Sequence, residues 1–459
     1  MKRGRTRLYR IKVHNFPKKY LLAELVDMFI TPDQYQFVDD DDKEFHWEFN
    51  KSGNDDRNEI KRQLFNVLAA ETRTKLPWGI LTGIRPVKLW GETFEALGKD
   101  AANKKMKEFY LLSNDKIELI SDIYLNQKRA VGMAPKGSLG LYIGIPFCPS
   151  RCSYCSFVTS HMTAKHKDSY LVALLREIEA VGQMATAKEL YPESIYIGGG
   201  TPTTLEHQQL SLLINKIKEY FDVSKVREWT VEAGRPDTID EERLTALREA
   251  GINRISINPQ TTKDSTLKLI GRHHSVEEFF RGYELARVLG FNWINCDLIA
   301  GLPGEDLTDF ETSLKEVIGL GPENVTIHSL AIKRASRLSE TTPHLHYQQG
   351  RLVNEMVELS REALKDKLYR PFYLYRQKHQ SGNGENVGYC LEGKESMYNM
   401  RIMDEHQPIL ALGAGGISKA YFPEENRLER VANLNSHIEY TDRVEEMIEK
   451  KRREFFIMP

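Results

Sequence analysis

The sequence predicts an α/β protein built on an open, partial barrel of six strand–helix units, with an α+β extension at each end. Two observations carry that expectation. After "APKGSLG", short apolar runs alternate with stretches of helical periodicity. The runs are "GLYIGIPF", "SIYIGGG", "EWTVEAG", "RISINPQ", "WINCDLIAGLPG" and "NVTIHSLAI"; Leu171, Leu174, Leu175 and Ile178 mark one helical face between them. Strands that alternate with helices make a parallel sheet. The second observation is positional: Gly, Pro, Cys, Glu, Gln and Asp gather at the C-terminal ends of these runs. In βα barrels that end carries the chemistry. Six units are too few to close an eight-stranded barrel, so the barrel is expected to be open.

The flanking elements follow in order. Residues 1 to about 50 alternate as short strands, "LYRIKVHNF", "QYQFV" and "FHWEF", broken by the acidic run Asp39, Asp40, Asp41 and Asp42, which reads as a solvated turn. Ile60, Leu64 and Leu68 then recur at helical spacing, "LTGIRPVKLW" follows, and a charged helical stretch runs to about Ala130. An N-terminal α+β domain is therefore expected over 1–130 and the six-unit core over 135–345. Over 346–459 a helical stretch, "RPFYLYRQK", a Gly/Asn-rich loop and "ILALGAGGISKAYF" make a C-terminal α+β region.

Composition narrows the function classes. The chain has 459 residues, 41% of them apolar and 28% charged, with a net charge of −1. Nothing in that balance calls for nucleic acid or an anionic membrane as partner. No apolar run approaches the ~20 residues of a membrane-spanning helix. The basic start, "MKRGRTRLYRIKVHNF", lacks the apolar segment of a secretory signal. A cytoplasmic location is expected.

Three of the five cysteines, Cys148, Cys152 and Cys155, lie within "PFCPSRCSYCSF", directly after the first core strand. In a reducing compartment such crowding favours thiolate ligation over bridging. Three thiolates without a fourth are incomplete for structural zinc. They suit an iron–sulfur cluster with one iron left open. A zinc site completed by His161 or His166, and a group of unliganded thiols, are the other readings of the spacing. Cys296 and Cys390 have no cluster spacing and read as packed, apolar thiols.

"PFCPSRCSYCSF" resembles the signature of the radical S-adenosylmethionine (SAM) superfamily, and "GGGTPT" one unit later resembles that superfamily's amino-group-binding segment. The resemblance implies a TIM-like (βα)6 radical SAM barrel. It implies that Cys148, Cys152 and Cys155 hold a 4Fe-4S cluster whose open iron chelates SAM, the source of a 5′-deoxyadenosyl radical. "RISINPQ", "LIGRHHS" and "INCDLIAGLPG" are similar to the oxygen-independent coproporphyrinogen III oxidase (dehydrogenase) branch. "LTGIRPVKLW", "LYRQKHQSGNGENVGY" and "LALGAGGISK" extend the likeness to its HemZ-type members.

On that resemblance Tyr142, Gly199, Glu232 and Ile417 align with positions that contact the cluster-bound SAM. Tyr154, Gly200, Thr201, Gln260, Arg272, Asp297 and Ala331 align with positions that contact a second SAM. Departures stand beside the matches: "SINPQ" puts Asn258 and Pro259 before Gln260, Phe157 stands where a further cysteine would supply an extra thiol, and the N-terminal extension has no counterpart in the short arm of the family's long-studied members. Outside the aligned set, His273 and His274 read as proton donors or outer-layer residues. Arg370, Arg376 and Lys378 read as substrate-carboxylate anchors or surface charge.

The activity implied is oxidative decarboxylation of two propionates of coproporphyrinogen III to the vinyl groups of protoporphyrinogen IX. The partners implied are a porphyrinogen substrate and an electron donor of flavodoxin or ferredoxin type. A haem-binding chaperone and a radical methyltransferase that opens the haem ring are the competing readings.

Overall fold

A computed structural model describes residues 8–457 apart from 17, 51–56, 83–84, 156–163, 334–335, 343–344, 346–348 and 378–379. At the N-terminus β1 (Tyr9–His14) lies between β2 (Tyr35–Val38) and β3 (Trp47–Asn50), parallel to both. Ile60, Leu64 and Leu68, one face of the helix Arg57–Thr72, close a small core with Ile11, Val13, Leu22 and Leu25. The acidic run is the solvated turn its composition implies, with Asp39, Asp40 and Asp41 exposed and Asp42 partly covered. Arg10 pairs with Asp42 at 3.0 Å, and Lys12 Nζ donates to the backbone oxygens of Asp40 and Asp42.

The core is a run of consecutive parallel strands: β4 (Ser138–Ile145), β5 (Tyr191–Gly199), β6 (Glu228–Glu232), β7 (Arg254–Ser256), β8 (Ile294–Ala300) and β9 (Asn324–Ser329). These are the six expected strands in the expected order, each followed by helix. In β4 the alternation is easily read: Leu139, Leu141, Ile143 and Ile145 are fully buried, while Gly140, Tyr142 and Gly144 face the other way. A strand covered on both faces reads as a near-continuous apolar run. That is why these strands are visible in the sequence.

The C-terminal region joins the same sheet at both edges. β10 (Arg370–Tyr375) and β11 (Asn386–Cys390) extend it antiparallel beyond β9. β12 (Ile409–Leu412) pairs in parallel with β4 and lengthens the parallel run by one strand, then β13 (Ile417–Phe422) and β14 (Arg427–Ala432) finish that edge antiparallel. The sheet has eleven strands in the order β10-β11-β9-β8-β7-β6-β5-β4-β12-β13-β14.

One C-terminal helix, Met397–Asp404, plugs the lumen at the strands' N-terminal ends. The carboxylate of Glu228, the first residue of β6, accepts from Ser396 Oγ at 3.0 Å and from the Met397 N–H at 2.6 Å. Tyr398 then stacks on Tyr196 at 4.7 Å and 23°. The helix thus covers the β6 N-terminal end, while the cysteine loop leaves β4 at its C-terminal end. Among the described residues no helix is long and apolar enough to cross a membrane.

Candidate active site

The cysteine loop leaves β4 and is held by backbone on one side. Gly200 N–H donates to the Ile145 carbonyl at 2.8 Å, and Thr201 N–H to the Phe147 carbonyl at 2.6 Å. A Cβ on Gly200 would stand 2.5 Å from Phe147 O, so only glycine permits this approach. Gly199 has φ +107°, again a conformation that favours glycine. The Gly198–Gly200 run therefore has a packing role, whatever ligand it meets.

On its other side the loop leans on the turn that carries Arg272. Ser150 Oγ donates to Gly271 O at 2.9 Å and Ser153 N–H to Ile270 O at 2.8 Å. Cys148 Sγ lies 3.4 Å from Thr201 Oγ1. Burial pushes the Cys148 thiol up to about 11, and the fields of Cys155 and Cys152 add to this while the Thr201 hydroxyl opposes it.

Among the described residues no group of three or more His, Cys, Asp or Glu side chains is arranged to hold a metal ion. His166 packs edge-on against His437, with ring centroids 6.0 Å apart; His161 and Phe157 lie outside the described residues. A 4Fe-4S cluster, with three irons each on one cysteine and the fourth left open, fits this donor set better than a single ion does. It would replace the proton that burial otherwise holds on the Cys148 thiol.

Next to the loop the strand ends gather the expected polar residues. Tyr142 on β4 and Tyr196 on β5 are register partners whose rings stack at 6.3 Å and 17°. The Tyr196 hydroxyl donates to Glu232 Oε1 at 2.5 Å, and the Gly199 N–H to Glu232 Oε2 at 3.1 Å. Burial raises the Glu232 carboxyl to about 7; Tyr196 and Gly199 oppose the rise and Asp297 adds to it. Asp297 is pushed up by burial too, but hydrogen bonds and charge from His328, with help from Asn295 and Thr326, bring it below the ordinary carboxylate range. Two neighbouring carboxyls are therefore set apart, Asp297 charged and Glu232 poised near neutrality.

Gln260 has φ +69°, its N–H donating to Asp297 O at 2.9 Å and its carbonyl accepting from Ile299 N–H at 3.0 Å. Its side chain is buried, and Oε1 has no hydrogen-bond partner. Arg272 donates from Nη1 to the Asn258 carbonyl at 2.6 Å, and its Nε is buried without a partner. Tyr154 and Cys152 both hydrogen-bond the Arg272 side chain; burial works against its charge, and these two neighbours more than restore it.

Asn258, a departure in the sequence, is a hub of this site. Its Oδ1 accepts from the Asp297 N–H at 3.3 Å while its backbone carbonyl holds Arg272. Ala331 lies just beyond β9, bridged to Gln380. Ile417 opens β13, 47% exposed, outside the buried set.

Other candidates fall away from the site. Arg376 is buried, donating to Leu81 O at 2.7 Å and lying over the Trp78 ring; Arg370 pairs with Glu392 at the surface. Lys378 is outside the described residues. Cys296 and Cys390 are buried, and burial holds both thiols protonated. His274 is buried with neither ring nitrogen partnered; burial, then Arg272 and Arg235, lower it to about 3, so it is neutral.

Tyr196 and Arg235 went unremarked in the sequence. Tyr196 was within reach, since it lies two residues before Gly198 on the same strand face. Arg235 in "AGRPDT" carries no such signal.

The chain matches the profile of the radical SAM superfamily over residues 142–317. It is 42% identical over 402 residues, 86% of this chain and 80% of the relative, to the oxygen-independent coproporphyrinogen-III oxidase-like protein HemZ of Bacillus subtilis. It is 34% identical to the heme chaperone HemW of the same organism, covering 60% of this chain and 69% of that one. The oxygen-independent coproporphyrinogen III oxidase of Paracoccus denitrificans is 31% identical over 64% of this chain and 65% of its own. In fold the chain is similar to the coproporphyrinogen III oxidase HemN of Escherichia coli, with a TM-score of 0.53 and 23% identity, covering 71% and 73% of the two chains. The radical SAM family works with a 4Fe-4S cluster and SAM, the pair that the three loop cysteines and the polar groups beside them suit. The HemZ likeness spans most of both sequences, and on it the chain belongs to the HemZ-like, oxygen-independent coproporphyrinogen III oxidase-related branch of the radical SAM superfamily, a branch of haem biosynthesis.

Proposed function

We propose that the chain converts coproporphyrinogen III to protoporphyrinogen IX, turning two propionate side chains into vinyl groups without oxygen. One observation carries this reading. Gln260 Oε1 and Arg272 Nε are both buried and unpartnered, and both belong to the cluster-loop side of the strand ends. Buried polar atoms are normally satisfied. An acceptor and a guanidinium donor left open together suit a ligand bearing both amino and carboxylate groups.

In this reading Cys148, Cys152 and Cys155 hold the cluster. Tyr142, Gly199 and Glu232 border the SAM bound to it, with Ile417 at the rim. Tyr154, Gly200, Thr201, Gln260, Arg272, Asp297 and Ala331 border a second SAM-sized ligand. What the bound pair supplies is abstraction of a hydrogen atom from an unactivated carbon. The protein's part is to orient and enclose. Glu232 and Asp297 present acceptors to ammonium and ribose hydroxyl groups, and Arg272 Nε offers its open N–H to a carboxylate. The helix Met397–Asp404 with its Tyr398 keeps water from entering through the lumen. Each propionate loses one hydrogen atom from its β-carbon, CO2 and one electron.

A haem-carrier reading draws support from the 34% identity to HemW. Anaerobic reconstitution followed by incubation with coproporphyrinogen III, SAM and a strong reductant separates the two. Vinyl products together with about four irons and four sulfides per chain are expected, with Cys148→Ala losing the iron and Cys296→Ala keeping it. Stoichiometric haem binding with no vinyl product would replace this reading by the carrier.

A further inference from the structure

Arg235 sits three residues beyond Glu232 and is 3% exposed. Its Nε donates to Asp237 Oδ1 at 2.9 Å and its Nη2 to Oδ2 at 2.8 Å, a two-pronged ion pair. The rest of the guanidinium is spent on the cysteine loop. Nη1 donates to the Ser150 carbonyl at 3.3 Å, Nη2 to Ser150 Oγ at 3.1 Å, and Nη1 reaches Cys152 Sγ at 3.9 Å. Ser150 Oγ passes the link on to Gly271 O, beside Arg272. One buried cation therefore joins the end of β6, the cysteine loop and the turn that carries Arg272. It aims an N–H at a sulfur assigned to the cluster.

We propose that Arg235 is a positioning residue that sets the cluster's reduction potential as well as the shape of its loop. Reduction adds one electron from an external one-electron donor and no atom, so the cluster becomes more negative by one charge. A buried cation and an N–H aimed at a ligating sulfur favour that state, and hydrogen bonds to sulfur and local charge are recognised determinants of such potentials. Asp237 opposes the effect by neutralising the cation from its far side. The proposal rests on the cluster being held by Cys148, Cys152 and Cys155. Iron and sulfide counts on the wild type test that assignment separately.

Wild type, Arg235→Gln, Arg235→Lys and Asp237→Asn are reconstituted anaerobically, and each cluster is titrated against potential by its reduced-state EPR signal. Arg235→Gln is expected to become harder to reduce by ~tenfold in the equilibrium constant, about 59 mV for a one-electron couple. Lysine keeps the charge but not the fork, so Arg235→Lys recovers part of the shift. Asp237→Asn removes the opposing charge and moves the potential the other way. A role confined to loop structure predicts lower cluster content in all three variants, with unchanged potential in the clusters that form. An Arg235→Gln cluster titrating with wild type overturns the proposal. So does an Asp237→Asn shift in the same direction as Arg235→Gln. If Arg235→Gln holds no cluster, Asp237→Asn decides: a higher potential supports the proposal, and an unchanged or lower one overturns it.

Discussion

Glu232 shows how the site is tuned side chain by side chain. Burial and the Asp297 charge disfavour its ionised form, and the Tyr196 hydroxyl and Gly199 N–H stop the rise at about 7. Because the folded state holds this proton more tightly than the unfolded chain, its contribution to stability is complete below the ordinary glutamate value. It is lost as pH rises through about 7. SAM is cationic and prefers the ionised carboxylate, so its affinity should rise between about pH 6 and pH 8, around the value near 7. Glu232→Gln should bind SAM more weakly by ~1–3 kcal/mol, up to about a hundredfold, and lose that pH dependence. Equilibrium dialysis across the pH range measures both, and a wild-type affinity flat from pH 6 to 8 would contradict the assignment. The cysteines, Glu232 and Gln260 were legible as polar residues at the ends of apolar runs; Asp297, expected at a strand end, stands inside β8 with Leu298, Ile299 and Ala300 after it. Arg235 was not, since Arg-Pro-Asp after a strand reads as a solvated turn until the fold shows it 3% exposed against a cysteine sulfur. Asn258 read only as a departure from the family motif, because its partners are a backbone N–H and a guanidinium brought there by other segments.

At the scale of elements, the cysteine loop is shaped by the strand-end segments it touches. Its backbone runs so close to Gly200 that a single methyl has nowhere to go, with Phe147 O at 2.5 Å and Ile145 O at 2.8 Å from the new Cβ. Backbone atoms cannot swing aside as a flexible side chain would. Gly200→Ala should therefore displace the loop, cost ~1–3 kcal/mol in stability and sharply lower the iron retained after reconstitution. Iron analysis beside a thermal melt checks it, and full wild-type iron would mean that the loop's shape is not set by this contact. The six core strands were readable because burial on both faces writes a continuous apolar run. β12 was not readable as a member of the parallel sheet. Its four residues, Ile409–Leu412, pair with Gly140–Ile143, and neither period nor composition announces a partner so distant in sequence.

At the scale of the whole molecule, the C-terminal region holds the core from several sides. Glu177 and Lys451, both fully buried, are joined at 2.7 Å, and the Glu177 carboxylate also accepts from the Tyr440 hydroxyl, Asn433 Nδ2 and the Gly413 N–H. This network ties the helix Val444–Glu454 to the loop between β12 and β13, beside the C-terminal end of β4. Lys451→Met strands a buried carboxylate and should cost ~3–5 kcal/mol, whereas the double change Glu177→Gln/Lys451→Met should recover much of it. Thermal melts of the two variants test this, and equal losses would remove charge pairing as the cause. The same architecture sets the cysteine loop beside Gly200, Thr201 and the turn that carries Arg272, in the site proposed to drive decarboxylation of a porphyrinogen. The most direct measurement is one anaerobic reaction with coproporphyrinogen III, SAM and a strong reductant, run on wild type and Arg272→Lys, with 5′-deoxyadenosine and divinyl porphyrin quantified together. Both products are expected from wild type. From Arg272→Lys, 5′-deoxyadenosine is expected with little or no divinyl product, because lysine cannot hold the Asn258 carbonyl and also present the N–H that Arg272 Nε leaves open. Wild type that cleaves SAM yet leaves every propionate intact would contradict the proposed decarboxylation.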